Sequence, residues 1–503
     1  MKIVVVGGGT AGWISALILA EANVDNKKFD ITVVDSSKIP IIGAGEGSTG
    51  VLTDLIDKRL NKLGVSEADF LNNTEATLKL GIRFKDWMGT DTEYLSPIEP
   101  SPSYLNFVDY SFYYALTQNK VHLASAGGYA MENEYSTYQT NKRVTSGAHS
   151  YHFDAHKVAE YFKSVALKNG IVHIDAELDE LHRNEDGSLN SISLKDSDNK
   201  IEGDLWIDCT GFARKLINPM GGGWTSYSKW LPTNNAIPYI QKYDSIDNVK
   251  LETLAWAMPN GWMWQIPTQT RYGCGYVYSD MFTNYDNALS ELTKITGRDI
   301  EPLRNIKFDS GRVDKFWVHN VIAVGLASSF LEPLQATSIH STITQMNLLR
   351  AQFLRNSITS VCTDSNRKKY NQHIGKMVDD FKDLIQMQYM TNREDTPFWK
   401  YCKYELPKTD FVEYILDVCK YRTVGVGDFD SYFGAATWGV WSWTLAGLGL
   451  LSNENAIEGL NMYNAYDTSK KMYDTNIKLG KRNTLTYLKS KDFMKALIDK
   501  KIK

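Results

Sequence analysis

Three glycines carry the first chemistry in this chain. Gly7, Gly9 and Gly12 repeat as GxGxxG directly behind the apolar run of residues 2–6, and with Thr10 and Ala11 they lead into an apolar stretch, residues 11–22. Asp35 closes the next β-branched run, where a carboxylate can hydrogen-bond an adenosine ribose. The pattern suits a dinucleotide. Side-chain-free turns let a pyrophosphate approach the backbone, and the following helix offers free N–H groups at its positive end. A glycine triplet alone is weak evidence, but strand, helix and acid in this order make a mere tight turn a poor explanation. FAD or NAD could each occupy the site.

Other polar groupings carry less. His152 and His156 stand four apart around Asp154, at the head of an amphipathic run over residues 154–168. That spacing puts two imidazoles on one helix face, where a metal could sit. No third ligand is evident, so the cluster reads as a helix start with solvated histidines, and no metal is expected. The cysteines, Cys209, Cys274, Cys362, Cys402 and Cys419, are odd in number and scattered, with no CxxC pair. They suit a reducing cytosol, and a cytoplasmic location is expected.

The hydrophobic period indicates which elements hold these residues. Residues 2–6, 11–22 and 29–34 give strand, helix and strand, one βαβ unit of a parallel sheet. Leu52, Leu55, Ile56 and Leu60 share one helical face over residues 49–63, Gly64 is the stop, and residues 78–87 predict a strand. Residues from about 90 to 150, rich in Tyr, Ser, Thr and Asn, predict an irregular excursion. Strands follow at 171–174, 189–194 and 205–208, after a helix ending at Gly170. Residues 224–277 alternate as an antiparallel sheet, 321–324 form a short buried strand, and 335–354 form a long helix. The expected fold is α/β. A Rossmann-like parallel sheet (about 1–90, 150–215 and 312–355) is interleaved with an antiparallel substrate-side sheet (about 91–149 and 216–311), and a mainly helical C-terminal lobe covers 356–503.

Composition removes several function classes. The 503 residues are 43% hydrophobic and 23% charged, which excludes disorder and collagen. Basic residues number 55 against 59 acidic ones, a formal charge of −4, so no field draws in nucleic acid. The N-terminal apolar run is short and flows into a Gly-rich turn, so it reads as a strand and not a signal peptide. Residues 432–451 lack charge and are about long enough to cross a bilayer. Yet Trp438, Trp441 and Trp443 fall near the middle, whereas membrane helices keep Trp at the interfaces. A buried aromatic wall and no membrane partner are expected. A homo-oligomer is the default assembly.

Later segments separate the cofactors. Asp208-Cys209-Thr210-Gly211 and Val324-Gly325-Leu326-Ala327-Ser328 end strands and resemble the later flavin-contacting turns of FAD-dependent monooxygenases. Residues 262–267, Trp-Met-Trp-Gln-Ile-Pro, fit WxWxIP, and here the chain resembles the flavin-dependent halogenases of the tryptophan halogenase family. The resemblance covers most of the chain. It includes IGAGEGS from Ile42, KLGIRFKDW from Lys79, YHFDAHKVAEYF from Tyr151, DCTGFARKL from Asp208, GLASSFLEPLQATSIH from Gly325 and TPFW from Thr396. Hydroxylating relatives carry an acid after the late-turn glycine, where this chain has Leu326.

The resemblance implies FAD held by Gly7, Gly9, Thr10, Ala11, Gly12, Asp35, Gly45, Glu46, Gly47, Leu178, Gly325, Leu326 and Ile339. Reduced FAD activates oxygen, halide is oxidised to hypohalous acid, and this oxidant passes to an electron-rich aromatic of indole or phenol type. Lys79 matches the family's essential lysine. Its ammonium can polarise hypohalous acid, or its neutral amine can become a haloamine; a strand lysine taken alone is usually a solvated charge. The resemblance places halide at the backbone N–H groups of Thr337 and Ser338. It makes Trp262, Trp264, Ile266 and Pro267 the partition between flavin and substrate, a role compatible with ordinary core packing. Trp438, Trp441 and Trp443 would suit a flat aromatic guest, and core packing suits each of them equally. Only one dinucleotide fingerprint is visible, so reduced FAD is expected from a separate flavin reductase.

There is one departure: Gln335 stands where the family has a catalytic glutamate. An amide exchanges hydrogen bonds but is no base near neutral pH, so this chain would be slower or would rely more on Lys79 and an activated substrate. Two other readings are a flavin monooxygenase that inserts oxygen and a flavin-binding protein whose catalytic centre has decayed. Pocket shape, not the motifs, sets the aromatic guest.

Overall fold

The computed structural model describes residues 1–25, 28–40, 43, 45–98, 110–141, 144–145, 149–355, 357–429 and 438–502, without the side chains of Tyr110, Val144, Thr145 and Trp438. Its first sheet has six strands in the order Val172–Asp175, Asp30–Asp35, Lys2–Val6, Leu205–Asp208, Val321–Ala323, Trp317–Val318. All neighbours are parallel except the last pair. Ile3, Val4 and Val5 are at most 1% exposed, as strands covered on both faces must be. The helix Thr10–Glu21 covers one face and packs on Ala155–Lys168 and Thr337–Leu348. Gly12 lets the helix start close against the end of the first strand, since a Cβ there would fall 1.9 Å from the Gly7 carbonyl oxygen.

A second sheet runs in the order Ile306–Lys307, Asn235–Lys242, Arg271–Tyr278, Gly261–Pro267, Thr253–Met258, Gly81–Lys85, Glu93–Pro97. It is antiparallel except where Thr253–Met258 lies beside Gly81–Lys85. A small third sheet places Ser150–Phe153 between Glu46–Gly47 and Thr77–Lys79. The α/β expectation is therefore met, with a parallel sheet, an antiparallel sheet and many helices after residue 357.

Several expectations need correction. The strand expected over 78–87 is two strands in two sheets. The Leu80 N–H donates to Leu251 and its carbonyl accepts from Ile98, so the chain changes partners there. The described residues between 90 and 150 are more regular than their composition suggested, with Glu93–Pro97, Tyr110–Thr117, Ala126–Glu132 and Tyr135–Gln139. These helices are shorter than the window in which a helical period shows. The strand Leu178–Arg183 was not expected and pairs with Leu189–Leu194. The helix expected over 335–354 is Thr337–Leu348, preceded by a 3-10 turn at Pro333–Gln335 and followed by a π turn at Leu349–Phe353. The uncharged stretch contains the ten-residue helix Trp438–Gly447, and among the described residues no helix is long and apolar enough to cross a membrane.

Candidate functional site

The glycine loop joins the first strand to its helix. Gly7 adopts φ +113°, and its N–H donates to the Val34 carbonyl at 2.8 Å. A Cβ on Gly7 would stand 2.2 Å from the Cys209 carbonyl oxygen, and one on Gly8 1.9 Å from Asp35 Oδ2. Around Gly9 nothing lies within 4 Å of such a carbon. The first two glycines let backbones and Asp35 approach, and the third leaves space for a ligand. Gly9 caps the helix without a side-chain bond, and the first turn carries no acid, so its N–H groups and positive dipole end remain free for an anion. Asp35 Oδ1 contacts His173 Nε2 on the neighbouring strand. Buried Asp208 fixes the next loop, accepting from the Thr210 N–H (2.9 Å), the Thr210 hydroxyl (2.7 Å), the Leu216 N–H (2.9 Å) and the Ile217 N–H (2.8 Å).

A cavity of about 570 Å³ joins these loops to the second sheet. It runs from Gly9 and Asp35 past Glu46, Gly47 and Leu178 to Lys79, Trp262, Trp264, Ile266, Leu326 and residues 336–339. The volume lies within the usual range for small-molecule and cofactor sites. The bare glycine loop, the uncapped helix and the acid at Asp35 together fit a dinucleotide.

Lys79 ends the strand Thr77–Lys79, where the small sheet meets the large one. It is 2% exposed, and its ammonium has no hydrogen bond or ion pair with any described residue. Burial without a countercharge holds it down to about 7. Gly47 leaves it space, since a Cβ there would lie 3.2 Å from Lys79 Nζ. Glu46 is half-buried on the same cavity wall, and burial together with the nearby Asp154 charge pushes its carboxyl up to about 7. His152 was read as solvated and helical; it is neither. It sits fully buried on Ser150–Phe153, 2.8 Å from the Thr253 hydroxyl, and burial beside Lys79 keeps it neutral. His156 is exposed, and Asp154 caps the helix by accepting from the His156 and Lys157 N–H groups.

Trp262 and Trp264 lie on one face of Gly261–Pro267, with ring centroids 6.2 Å apart. Trp262 is buried and Trp264 half-buried. Gly275, directly opposite Trp264 in the sheet, gives the indole its place: a Cβ there would fall 2.1 Å from Trp264 Cη2. The sequence reading missed Gly275, although a glycine within an alternating aromatic strand was a usable sign. It also missed Glu332, which is 0% exposed and whose Oε2 accepts from the Trp262 indole at 2.7 Å. Ala336 takes the left-handed conformation at φ 54° and turns the chain into Thr337–Leu348. Thr337, Ser338 and Ile339 thus reach the cavity from an uncapped helix N-terminus.

Other candidates stand elsewhere. Gln335 is 8% exposed and is not among the lining residues, and its Nε2 is buried without a partner. Pro267 does not line the cavity; its carbonyl accepts from the Thr77 hydroxyl at 2.8 Å. Gly12 and Gly325 lie behind the wall, where a Cβ on Gly325 would meet Ala11 Cβ at 2.6 Å. Trp441 packs on Phe411 and Phe429, and Trp443 on Phe112. Both are 1% exposed and belong to the aromatic core rather than to this cavity. The Trp438 side chain and residues Ile42 and Ala44 lie outside the described residues. Among the described residues no group of three or more His, Cys, Asp or Glu could hold a metal ion.

Known proteins resemble this chain along most of its length. The family profile described as Tryptophan halogenase matches residues 2–458. Tryptophan 6-halogenase ThaL of Streptomyces albogriseolus is 31% identical over 82% of this chain and 80% of its own length. Tryptophan 7-halogenase RebH of Lentzea aerocolonigenes is 30% identical over 83% and 81%. The solved structure of BrvH, a flavin-dependent halogenase from Brevundimonas sp. BAL3, has a TM-score of 0.84 at 26% identity, covering 99% of both chains.

Proposed function

The chain belongs to the tryptophan halogenase family of flavin-dependent oxidoreductases, and from that premise we propose that it halogenates an electron-rich aromatic small molecule through Lys79. The observation that carries the proposal is the Lys79 amine, buried without a partner on the wall of the cavity that begins at the glycine loop.

The glycine loop would take the pyrophosphate and Asp35 the ribose, and Gly45, Gly47, Leu326 and Ile339, which line the same cavity, would hold the flavin end. FAD, delivered reduced by a separate reductase, supplies with oxygen the oxidation that turns halide into hypohalous acid. The Thr337 and Ser338 N–H groups hold the halide at the positive end of their helix. Trp262 and Trp264 keep water and the aromatic guest away from the cofactor. With its amine held near neutrality, Lys79 exists in both forms at pH 7. The ammonium hydrogen-bonds the oxygen of hypohalous acid; the free amine exchanges a proton for halogen and releases water. Halogen then passes to ring carbon, and the ring proton leaves to the restored amine or to water, because the Gln335 amide takes none.

ThaL and RebH are tryptophan halogenases, so tryptophan heads a panel of indoles and phenols supplied with reduced FAD, oxygen and chloride, bromide or iodide. Mass spectrometry is expected to find halogenated product that requires halide. Oxygenated product indifferent to halide would replace this reading with a monooxygenase, and oxygen uptake without product would replace it with a decayed flavin-binding protein. NADH alone, added anaerobically, is expected to leave bound FAD oxidised.

A further inference from the structure

Glu332 is a carboxylate that the reaction above does not use. It is 0% exposed and stands outside the cavity wall. Its Oε2 accepts from Trp262 Nε1 at 2.7 Å, the Tyr389 hydroxyl at 2.6 Å and the Thr233 hydroxyl at 3.0 Å. These donors come from the partition strand, the end of the helix Asp364–Gln388 and the segment before Asn235–Lys242. Glu332 Oε1 has no partner among the described residues. The backbone of Glu332 caps the 3-10 turn Pro333–Gln335, and its carbonyl accepts from the Leu334 N–H at 2.9 Å. One residue therefore bonds the partition indole through its side chain and opens the turn that leads to Thr337 and Ser338.

Resting on the function proposed above, we propose that Glu332 is a positioning residue that clamps the Trp262 indole to the halide-presenting turn, keeping partition and anion site in fixed relation. A buried carboxylate costs desolvation that an apolar residue of similar size would avoid, so it is an expensive way merely to fill a core. What it adds is three directional, charge-assisted bonds meeting at one oxygen. Removing that oxygen leaves three buried donors unsatisfied and frees the indole to turn.

Two variants test the clamp. Glu332→Gln keeps an oxygen for the three donors, and Glu332→Ala removes it. Each is given reduced FAD, oxygen, bromide and tryptophan, and brominated product is counted together with released hydrogen peroxide. In Glu332→Ala the ratio of product to peroxide is expected to fall at least tenfold; in Glu332→Gln it stays within threefold of wild type. FAD affinity changes less than twofold in both. An unchanged ratio in folded Glu332→Ala overturns the clamp. If that variant does not fold, Tyr389→Phe, which removes one donor, is expected to lower the ratio about threefold, and an unchanged ratio there overturns it equally. Should wild type yield no halogenated product with any halide and aromatic, the function reading fails separately. The clamp is then decided by crystallography: a displaced Trp262 ring in Glu332→Ala, or in Tyr389→Phe if the first does not fold, supports it, and a ring in its wild-type place overturns it.

Discussion

The two ends of the cavity are built by opposite means. At Gly9 and Asp35 the site is made by leaving atoms out, with bare backbone, an uncapped helix and one acid at a strand end. At Lys79 it is made by enclosing polar groups that would rather meet water, an amine and an uncapped helix N-terminus, beside two indoles, all brought from distant segments. The first arrangement binds through shape and free backbone N–H groups. The second makes an amine reactive by burying it, and its protonation then depends on everything packed around it.

This contrast predicts separable failures. Gly7→Ala puts a Cβ 2.2 Å from the Cys209 carbonyl oxygen at φ +113°. FAD affinity is expected to fall at least a hundredfold, about 2.7 kcal/mol, in a flavin fluorescence titration. Full affinity would mean that the loop is not the cofactor cradle. Gly275→Ala strikes the other end by displacing the Trp264 indole. Product relative to peroxide should drop roughly tenfold while FAD affinity stays within about twofold, a difference of about 0.4 kcal/mol or less. Equal loss of both would merge the two regions. Gln335→Glu supplies the family's missing carboxylate, and turnover on an unactivated indole is expected to rise a fewfold. No gain in rate would show that ring deprotonation is not limiting.

The last effect is on stability. Lys79 titrates near 7 when folded, against the usual lysine value of 10.5, so the unfolded chain binds the extra proton between those limits. Protonated Lys79 therefore opposes folding fully below about 7, and the penalty fades as pH rises toward 10.5. Lys79→Met should gain stability over wild type at pH 7, and the gain should shrink toward alkaline pH by at most about 1.4 kcal/mol per unit. Urea unfolding at two pH values checks this. A pH-independent difference would mean that the amine is solvated.

The legibility of the chain follows the same division. The fingerprint could be read directly because strand, glycines, helix and acid lie within one continuous stretch, and backbone shape depends on local residues. Lys79 drew attention only through family resemblance, since its burial arises where two sheets meet. Gly275 showed only as a glycine in an alternating aromatic strand, and Glu332 only as one residue of a longer motif; each matters through a partner, Trp264 or Trp262, that the fold supplies. His152 was misplaced because an i, i+4 spacing says nothing when the first residue lies on a strand. Ala336 hid the break before Thr337 because few alanines take the left-handed conformation, so apolar spacing ran the helix two residues too far.

The central claim is that the Lys79 amine, not free oxidant, places halogen on carbon. The direct test is a single turnover of Lys79→Ala loaded with reduced FAD, given oxygen, bromide and the best aromatic of the panel, with a small-molecule scavenger outside the enzyme. Oxidised bromide should be recovered in the scavenger while brominated aromatic falls by about a hundredfold to ten-thousandfold and FAD affinity is unchanged. Brominated aromatic formed at the wild-type rate would contradict the account.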